Sequence, residues 1–427
     1  MALKYRAPRG TSDSLYPDSE RTERLIRVAT GILAVHDYRR ISTPILEATD
    51  LFVRSIGSHT DIVTKEMYTF VDQGGESLTL RPEATAPVLR AYLEAGLGSK
   101  GLPQKLFYVG PMFRRERPQA GRFRQFHQIG AEVIGTGDPF ADAEIILVND
   151  IYFRRLGLER YRLVLNSIGC RDCRPSYVEK LSAFLGGISG SLCEQCRKRS
   201  VENPLRVFDC KEEACREAMG AAPVITEHLC PGCRGHFDTV LADLELLGVT
   251  FELDDHLVRG LDYYTKTTFE FQFEKLGAQN AVCGGGRYDY LAEELGGPPT
   301  PGVGFSLGIE RLLMALDGER LDPVALPGLD VFIAGSEDVD RPLLLSLLGR
   351  LRDEGISADI DLMGRSLKSQ MKHANRLGAR FAVIVGEEEL ARGQVVLRDL
   401  DHSEQWAIQL EEVPARVKDL LKGETGE

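Results

Sequence analysis

The feature that most constrains this chain is a run of strand-like segments with almost nothing helical between them. Segments 67–71, 78–81, 105–110 and 124–134 are rich in β-branched and aromatic residues, and turn-forming residues separate them. One helical stretch, Ala84 to Leu97, interrupts the series. Strands that follow one another through short connections pair antiparallel, since parallel pairing needs long crossovers. The series predicts an α+β fold built on an antiparallel sheet, not a doubly wound one.

Around this series the pattern is mixed. Residues 20–36 carry apolar side chains at helical spacing, and the strand-like run RRISTPILE follows, with Pro44 suited to a strand edge or start. Residues 141–156 read as a buried helix. A strand pattern resumes over Leu257–Phe273, runs into the glycine-rich Cys283–Tyr290, and gives way to a helix over Ile309–Leu316. Gly318 to Pro327 is a linker by composition. Beyond it strands at 330–334, 358–362, 380–385 and 394–398 alternate with helices at 338–354 and 366–377, which predicts a separate small α/β domain. The expected organisation is a core of residues 1–169 and 251–322, an insertion at 170–250, and a C-terminal domain at 328–427.

Two compositional features bear on function. The net charge is −12, with 52 basic against 64 acidic residues, so the chain is not a basic-coated binder of nucleic acid. One local patch runs the other way: Arg114 to Arg124 (RRERPQAGRFR) holds five arginines and one glutamate. Arginine's planar fork grips two phosphate oxygens at once and keeps its charge, so an arginine-rich loop between strands suits a nucleotide site. The second feature is cysteine: eight of nine fall between Cys170 and Cys233. No apolar run approaches a membrane span, and the opening residues lack the apolar stretch of a signal peptide. A cytoplasmic, reducing setting with no membrane contact is expected, which disfavours disulfides.

Cys170-x2-Cys173 and Cys193-x2-Cys196, nineteen residues apart, have the spacing of a four-thiolate zinc site. Cys210-x4-Cys215 and Cys230-x2-Cys233 give a second, looser match, and an interleaved pairing of the four hooks is equally open. Structural Zn²⁺ is favoured over buried thiols or a redox pair, and an insertion so held would touch a nucleic-acid partner.

Several separated motifs share one resemblance. Ile41-Ser42-Thr43-Pro44 with the preceding helix, Phe113–Glu132, and Gly302–Leu312 are similar to motifs 1, 2 and 3 of the class II aminoacyl-tRNA synthetases. Leu257–Tyr264 (LVRGLDYY), Gly284–Asp289 (GGGRYD), Pro8–Thr11 (PRGT) and Leu80–Thr85 (LRPEAT) resemble signatures of the histidyl-tRNA synthetase family, bacterial type, and the likeness spans essentially the whole chain. It implies an antiparallel-sheet class II synthetase catalytic core with an inserted Cys-rich subdomain, followed by a C-terminal α/β anticodon-binding domain. It also implies a homodimer, because motif 1 is the dimer-forming element of that class. The cysteine hooks depart from the family's common pattern.

The resemblance implies an ATP-dependent ligase. Histidine and ATP, accompanied by Mg²⁺, would give histidyl-adenylate and pyrophosphate, and histidine would then pass to a ribose hydroxyl on the terminal adenosine of tRNA(His). Negative charge gathers on the α-phosphate as two anions are pressed together, so fixed cations are needed. By position, Arg114 and Arg259 would hold the α-phosphate and the histidine carboxylate, while Glu116, Arg122 and Arg311 complete the ATP site. Glu83, Thr85, Gln128, Glu132, Tyr264 and Tyr288, with Arg259, would select histidine. Arg117 and Gln119 in the motif 2 loop would read the acceptor end. Arg365, Lys368, Lys372 and Arg376, placed on the second helix of the C-terminal domain, would face the anticodon arm.

Read alone, Arg259 is equally a salt-bridge partner of Asp254 or Asp255, Glu83 and Glu132 are exposed strand carboxylates, and Gly284–Gly286 is a flexible turn, a place of close backbone approach to a substrate, or both. Two other classes fit part of the pattern. A regulatory subunit resembling the partner of ATP phosphoribosyltransferase binds histidine but typically lacks the anticodon domain and some of the arginines. Prolyl, threonyl or glycyl enzymes share motifs 1–3 but not LVRGLDYY together with GGGRYD.

Overall fold

The structure is a computed structural model that describes residues 5–58, 60–119, 121–321 and 328–422. Residues 322–327 of the expected linker and 423–427 of the expected C-terminal domain lie outside the described residues. The described chain forms two compact units, one up to Leu321 and one from Gly328.

In the first unit, β1 (Arg39–Arg40) stands at the edge of the main sheet, and β2 (Leu46–Ala48), β3 (Tyr68–Val71) and β4 (Ser77–Leu80) form a small antiparallel sheet in the order β2-β4-β3. The main sheet continues with β5 (Gln104–Phe113), β6 (Gln125–Ile134), β7 (Arg162–Ser167), β8 (Glu252–Leu253), β9 (Thr265–Gln272), β10 (Ala281–Arg287) and β11 (Gly302–Gly308). Its order is β1-β5-β6-β11-β10-β9-β7-β8. The six central strands pair antiparallel throughout, and only the two short edge strands are parallel to their neighbours. The antiparallel expectation holds.

The local reading differs at three points. The run RRISTPILE does not form one strand: it breaks after Arg40 and restarts at Leu46 in the smaller sheet, because Pro44 cannot donate to a ladder. Residues 257–264 are loop, and the strand begins only at Thr265. Gly284–Gly286 lies inside β10 rather than in a turn.

One face of the sheet carries Ile129, Ala131, Val133, Phe269, Phe271, Val303, Phe305 and Leu307 into a single buried cluster. Against it pack the helices Asp18–Val35, Phe140–Arg155 and Ile309–Glu319, whose Leu25, Ile32, Ile145, Phe153 and Leu312 are fully or almost fully buried. Helix Pro231–Leu246, the last of segment 170–250, adds Phe237, Val240 and Leu244 to this cluster. The remainder of that segment supplies helices Arg174–Gly187, Glu194–Glu202 and Glu213–Met219, which bury Tyr177, Leu181, Cys196 and Cys215 in a second cluster. The opposite face gives Leu106, Tyr108, Met112 and Ile134 to this second cluster and carries polar groups on its remaining part.

The second unit contains β12 (Val331–Gly335), β13 (Ala358–Ile360), β14 (Phe381–Val385), β15 (Gln394–Asp399) and β16 (Gln405–Gln409) in the order β13-β12-β14-β15-β16. Helices Arg341–Asp353 and Leu367–Arg376 cross between the parallel strands, as the alternating pattern predicts. The last strand and the helix Val413–Lys422 were not legible in it.

The arginine of GGGRYD is a buried strut. Arg287 is fully buried, its Nε donates to Asp142 Oδ2 at 3.0 Å, its Nη1 to Asp289 Oδ1 at 3.1 Å, and further N–H groups to the carbonyls of Thr136 and Asp138. Truncating it leaves the Asp142 carboxylate buried beside His236 with its main counter-charge gone. Arg287→Ala is expected to destabilise the first unit by about 3–5 kcal/mol, read as a lowered denaturant midpoint.

Candidate active site

The polar face of the sheet is shaped by glycines. One rung crosses it as Gly130 opposite Ser306, Ser306 opposite Gly284, and Gly284 opposite Glu270. A Cβ on Gly284 would sit 2.5–2.7 Å from the Arg259 guanidinium. One rung further, a Cβ on Gly304 would meet Glu132 Oε2 at 1.7 Å. These glycines open a trough in which a cation and a carboxylate lie directly on the backbone.

Arg259 reaches the trough from the 254–264 loop. Its partner is Glu270 on β9, not Asp254 or Asp255. Those two take other donors: Asp254 Oδ1 accepts the His256 N–H at 2.9 Å and Asp255 Oδ1 accepts the Thr226 hydroxyl at 2.7 Å. Burial, the largest single influence, works to lower the Arg259 pKa, but Glu270 together with Tyr264, Tyr263 and Cys283 outweighs it and the net shift is upward. The group is a permanent cation whose buried Nε has no hydrogen-bond partner among the described residues.

The hairpin between β5 and β6 brings a second cation. Arg114 N–H donates to the Arg124 carbonyl at 2.9 Å, closing the hairpin, and its Nε donates to the Pro82 carbonyl at 2.9 Å. Glu116 and Arg122 form an ion pair at 3.1 Å. The PRGT segment clamps the outside: Arg124 N–H donates to the Gly10 carbonyl at 2.7 Å. Gly10 sits at φ +88° where a Cβ would strike Arg124 and Pro118. Arg311, at the start of the helix after β11, donates to the carbonyls of Gly121 at 2.8 Å and Ala281 at 2.9 Å. Burial lowers its pKa, reinforced by the nearby Arg114 and Arg122 charges. Such crowding of cations around one space favours an anion there.

Carboxylates occupy the other end, and they are buried rather than exposed. Glu83 accepts the N–H groups of Thr85 at 2.6 Å and Ala86 at 3.0 Å, capping the helix Thr85–Glu94. Burial raises its pKa against those hydrogen bonds. Glu132 accepts the Thr85 hydroxyl at 2.9 Å and the Tyr288 hydroxyl at 2.7 Å. Burial lifts its pKa to about 8 despite them. Gln128 is buried on β6, and its Oε1 has no hydrogen-bond partner among the described residues.

Most of these groups line one cavity of about 1440 Å³. Glu83, Thr85, Arg114, Glu116, Arg122, Gln128, Arg259 and Arg311 reach its wall, while Glu132, Tyr264 and Tyr288 are not in its lining. Glu132 and Tyr288 meet each other behind Thr85. Arg117 and Gln119 are exposed on the hairpin loop. In the second unit Lys368, Lys372 and Arg376 are exposed on one helix, but Arg365 precedes that helix. It is half-buried and its Nη1 donates to Asp361 Oδ1 at 2.7 Å. Sequence reasoning missed Tyr263, Glu270, Ser306 and Glu310, which also line the cavity. Tyr263 and Glu310 stand beside residues already singled out, and only strand register brings Glu270 and Ser306 there.

The cysteines group as outer and inner hooks rather than in sequence order. Cys170, Cys173, Cys230 and Cys233 form one set and Cys193, Cys196, Cys210 and Cys215 the other, with the sulfurs of each set within 4.8 Å of one another. All are free thiols.

A six-stranded antiparallel core with arginines converging on its polar face defines a class II aminoacyl-tRNA synthetase. The pattern of the histidyl-tRNA synthetase family matches residues 10–172 and 226–312, and that of the anticodon binding domain matches 331–420. The histidine--tRNA ligases of Moorella thermoacetica and Desulforudis audaxviator are each 52% identical, over 95% and 97% of this chain and 95% and 99% of theirs. The S. aureus histidyl-tRNA synthetase structure, 37% identical, superposes with a TM-score of 0.82 over 97% of this chain and all of that one. The chain belongs to the histidyl-tRNA synthetase family, and its reaction is the attachment of histidine to tRNA. A Bacillus halodurans structure titled ATP phosphoribosyltransferase regulatory subunit/histidyl-tRNA synthetase shares the fold at 22% identity and a TM-score of 0.66.

Two outcomes test the geometry. Gly284→Ala pushes the Arg259 guanidinium off the strand and should slow histidine-dependent ATP–pyrophosphate exchange roughly 10²-fold, a displacement effect, at a stability cost of about 1–3 kcal/mol. Glu132, with its pKa raised to about 8, favours the folded state fully only below its unfolded value. That contribution fades as pH rises through about 8. Thermal melts between pH 5 and 9 should therefore fall less steeply with pH for Glu132→Gln than for the parent chain.

Proposed function

We propose that the cavity runs the two-step, ATP-dependent route, with the cations as its working parts. The observation that carries this reading is the meeting of Arg114, Arg259 and Arg311, drawn from three separated segments, on one cavity with Glu83, Thr85 and Gln128. In the first step a histidine carboxylate oxygen bonds to the α-phosphorus, and the bridging oxygen leaves with pyrophosphate. Arg114 and Arg259 hold the charge that builds on the non-bridging oxygens. Arg259 brings this charge already desolvated and oriented by Glu270, so it need not reorganise as the bond forms. Arg311, Arg122 and Glu116 hold the nucleotide. Mg²⁺ travels with ATP, largely on water and phosphate oxygens, and offsets the triphosphate charge.

Glu83 and Thr85 take the histidine ammonium end, and Gln128, Glu132, Tyr264 and Tyr288 the imidazole. A buried carboxyl left without its cationic guest penalises the wrong amino acid, which is how polar pockets reach high discrimination. In the second step the terminal ribose hydroxyl attacks the adenylate carbonyl carbon and AMP leaves. Arg117 and Gln119 on the exposed hairpin contact the acceptor end. Lys368, Lys372 and Arg376 offer phosphate contacts near the anticodon, with Arg365 bracing Asp361 behind them. Binding at both ends of one tRNA raises each contact's effective concentration.

The organisation that goes with this reading is a catalytic core of 1–169 and 251–322, a Cys-rich insertion at 170–250 and an anticodon-binding domain at 328–427, assembled as a homodimer through the motif 1 region. No described helix is long and apolar enough to cross a membrane, which agrees with a cytoplasmic location. The two cysteine sets hold structural zinc, their thiolates matching the four-sulfur donor set of closed zinc sites.

Arg259→His is expected to lower the exchange rate roughly 10²–10³-fold with the far-ultraviolet spectrum and dimer mass unchanged. Near-normal exchange in that variant would overturn the role given to Arg259.

A further inference from the structure

The two cysteine sets differ in what surrounds them. The outer set joins the start of the insertion, Cys170 and Cys173, to the helix that returns to the core, Cys230 and Cys233. The inner set lies at the cavity itself: Cys193 and Cys210 are in its wall together with Arg199, Arg206 and Asp209.

The sulfur spacing suits a shared ion in both sets. A tetrahedral zinc with bonds of about 2.3 Å puts its sulfurs about 3.8 Å apart. The measured separations are 3.7 Å for Cys170–Cys173, 3.9 Å for Cys170–Cys230, 3.8 Å for Cys173–Cys233 and 3.9 Å for Cys193–Cys210. Backbone N–H groups already point at the sulfurs: Cys196 to Cys193 at 3.4 Å, Cys193 to Cys215 at 3.1 Å, and Cys233 to Cys230 at 3.4 Å. Such donors hold a thiolate in place and orient it.

From the inner set a short path leads to the cation that meets the phosphate. The helical turn Pro204–Asp209 ends at Cys210. Within that turn Arg206 Nη1 donates to the Gly260 carbonyl at 3.0 Å, and Gly260 follows Arg259 directly in the chain. The same guanidinium pairs with Asp209 at 2.7 Å. Arg199, on the helix that Cys193 caps, donates to the Arg206 carbonyl at 3.3 Å and pairs with Asp61 at 3.1 Å. Asn203 Nδ2 donates to Asp262 Oδ1 at 3.1 Å. The 254–264 loop is thus tied on both sides of Leu261, at Gly260 and Asp262, to the segment between the inner hooks.

We propose that the inner set, Cys193, Cys196, Cys210 and Cys215, binds a zinc ion that fixes the Asn203–Cys210 segment, so that Arg206 holds the Arg259 loop in its cavity-facing shape. The proposal rests on the zinc reading above and adds a second-order role: Arg206 is a positioning residue and the inner zinc a brace for the catalytic cation. The outer zinc only anchors the insertion.

The test uses the full chain purified in reductant without chelator. Metal analysis should give about two zinc ions per chain, and Cys193→Ser/Cys196→Ser about one. In that variant kcat for histidine-dependent pyrophosphate exchange should drop on the order of tenfold, with the KM for histidine changed less than about twofold, because the loss falls on the transition state. Arg206→Ala should show the same kcat loss while keeping both zinc ions, and Arg206→Lys, which restores a donor for the Gly260 carbonyl, should recover most of it. Normal exchange in Arg206→Ala overturns the brace even if the cysteine variant fails to fold. An inner variant that loses one zinc yet keeps its kcat overturns the coupling and leaves the zinc reading standing. No zinc in the parent chain overturns the zinc reading itself.

Discussion

A guanidinium lying flat on a bare strand sets the terms for the rest of this site. Arg259 can occupy the trough only because Gly284 offers no Cβ and because Glu270, directly opposite in register, supplies the counter-charge. Remove either and the cation must leave or stay buried unpaired, at a cost of several kcal/mol. The sheet is therefore more than a scaffold. Its register decides where a fixed positive charge is held against solvent, and the remaining polar groups are arranged around that point.

The carboxylates obey a complementary rule. Glu83 and Glu132 are buried with raised pKa values, and each is held by hydrogen bonds from Thr85, its neighbours or Tyr288. The site keeps its cations charged and holds both acids at raised pKa values, which suits it to receive an anion at one end and a cation at the other. An amino acid beside a triphosphate presents that pair of charges. Ionising a buried acid carries a desolvation cost that a cationic guest offsets, so selectivity and electrostatics arise from the same burial.

The insertion matters because of where it touches the core. Its last helix is continuous with the hydrophobic cluster under the sheet, and its middle segment bonds to the loop that carries Arg259. A segment that reads as an appendage in sequence is a wall of the cavity in space.

The sequence alone carried the antiparallel class, the arginine hairpin and the family signatures, since each depends on local periodicity or on residue identity at short spacing. It marked Glu132 as a residue of interest but left open an exposed strand carboxylate beside a place in the pocket, because burial is a property of the neighbours. It read 257–264 as strand and 284–286 as turn, because β-branched and aromatic residues favour strands and glycines favour turns wherever tertiary contacts do not intervene. Only the tertiary structure decided that Arg259 pairs with Glu270, that the hooks close outer with outer and inner with inner, and that Arg287 is a strut. Those pairings join residues as far apart as Asp142 and Arg287, and a chain fixes such contacts through sheet register and core packing, which local spacing does not encode.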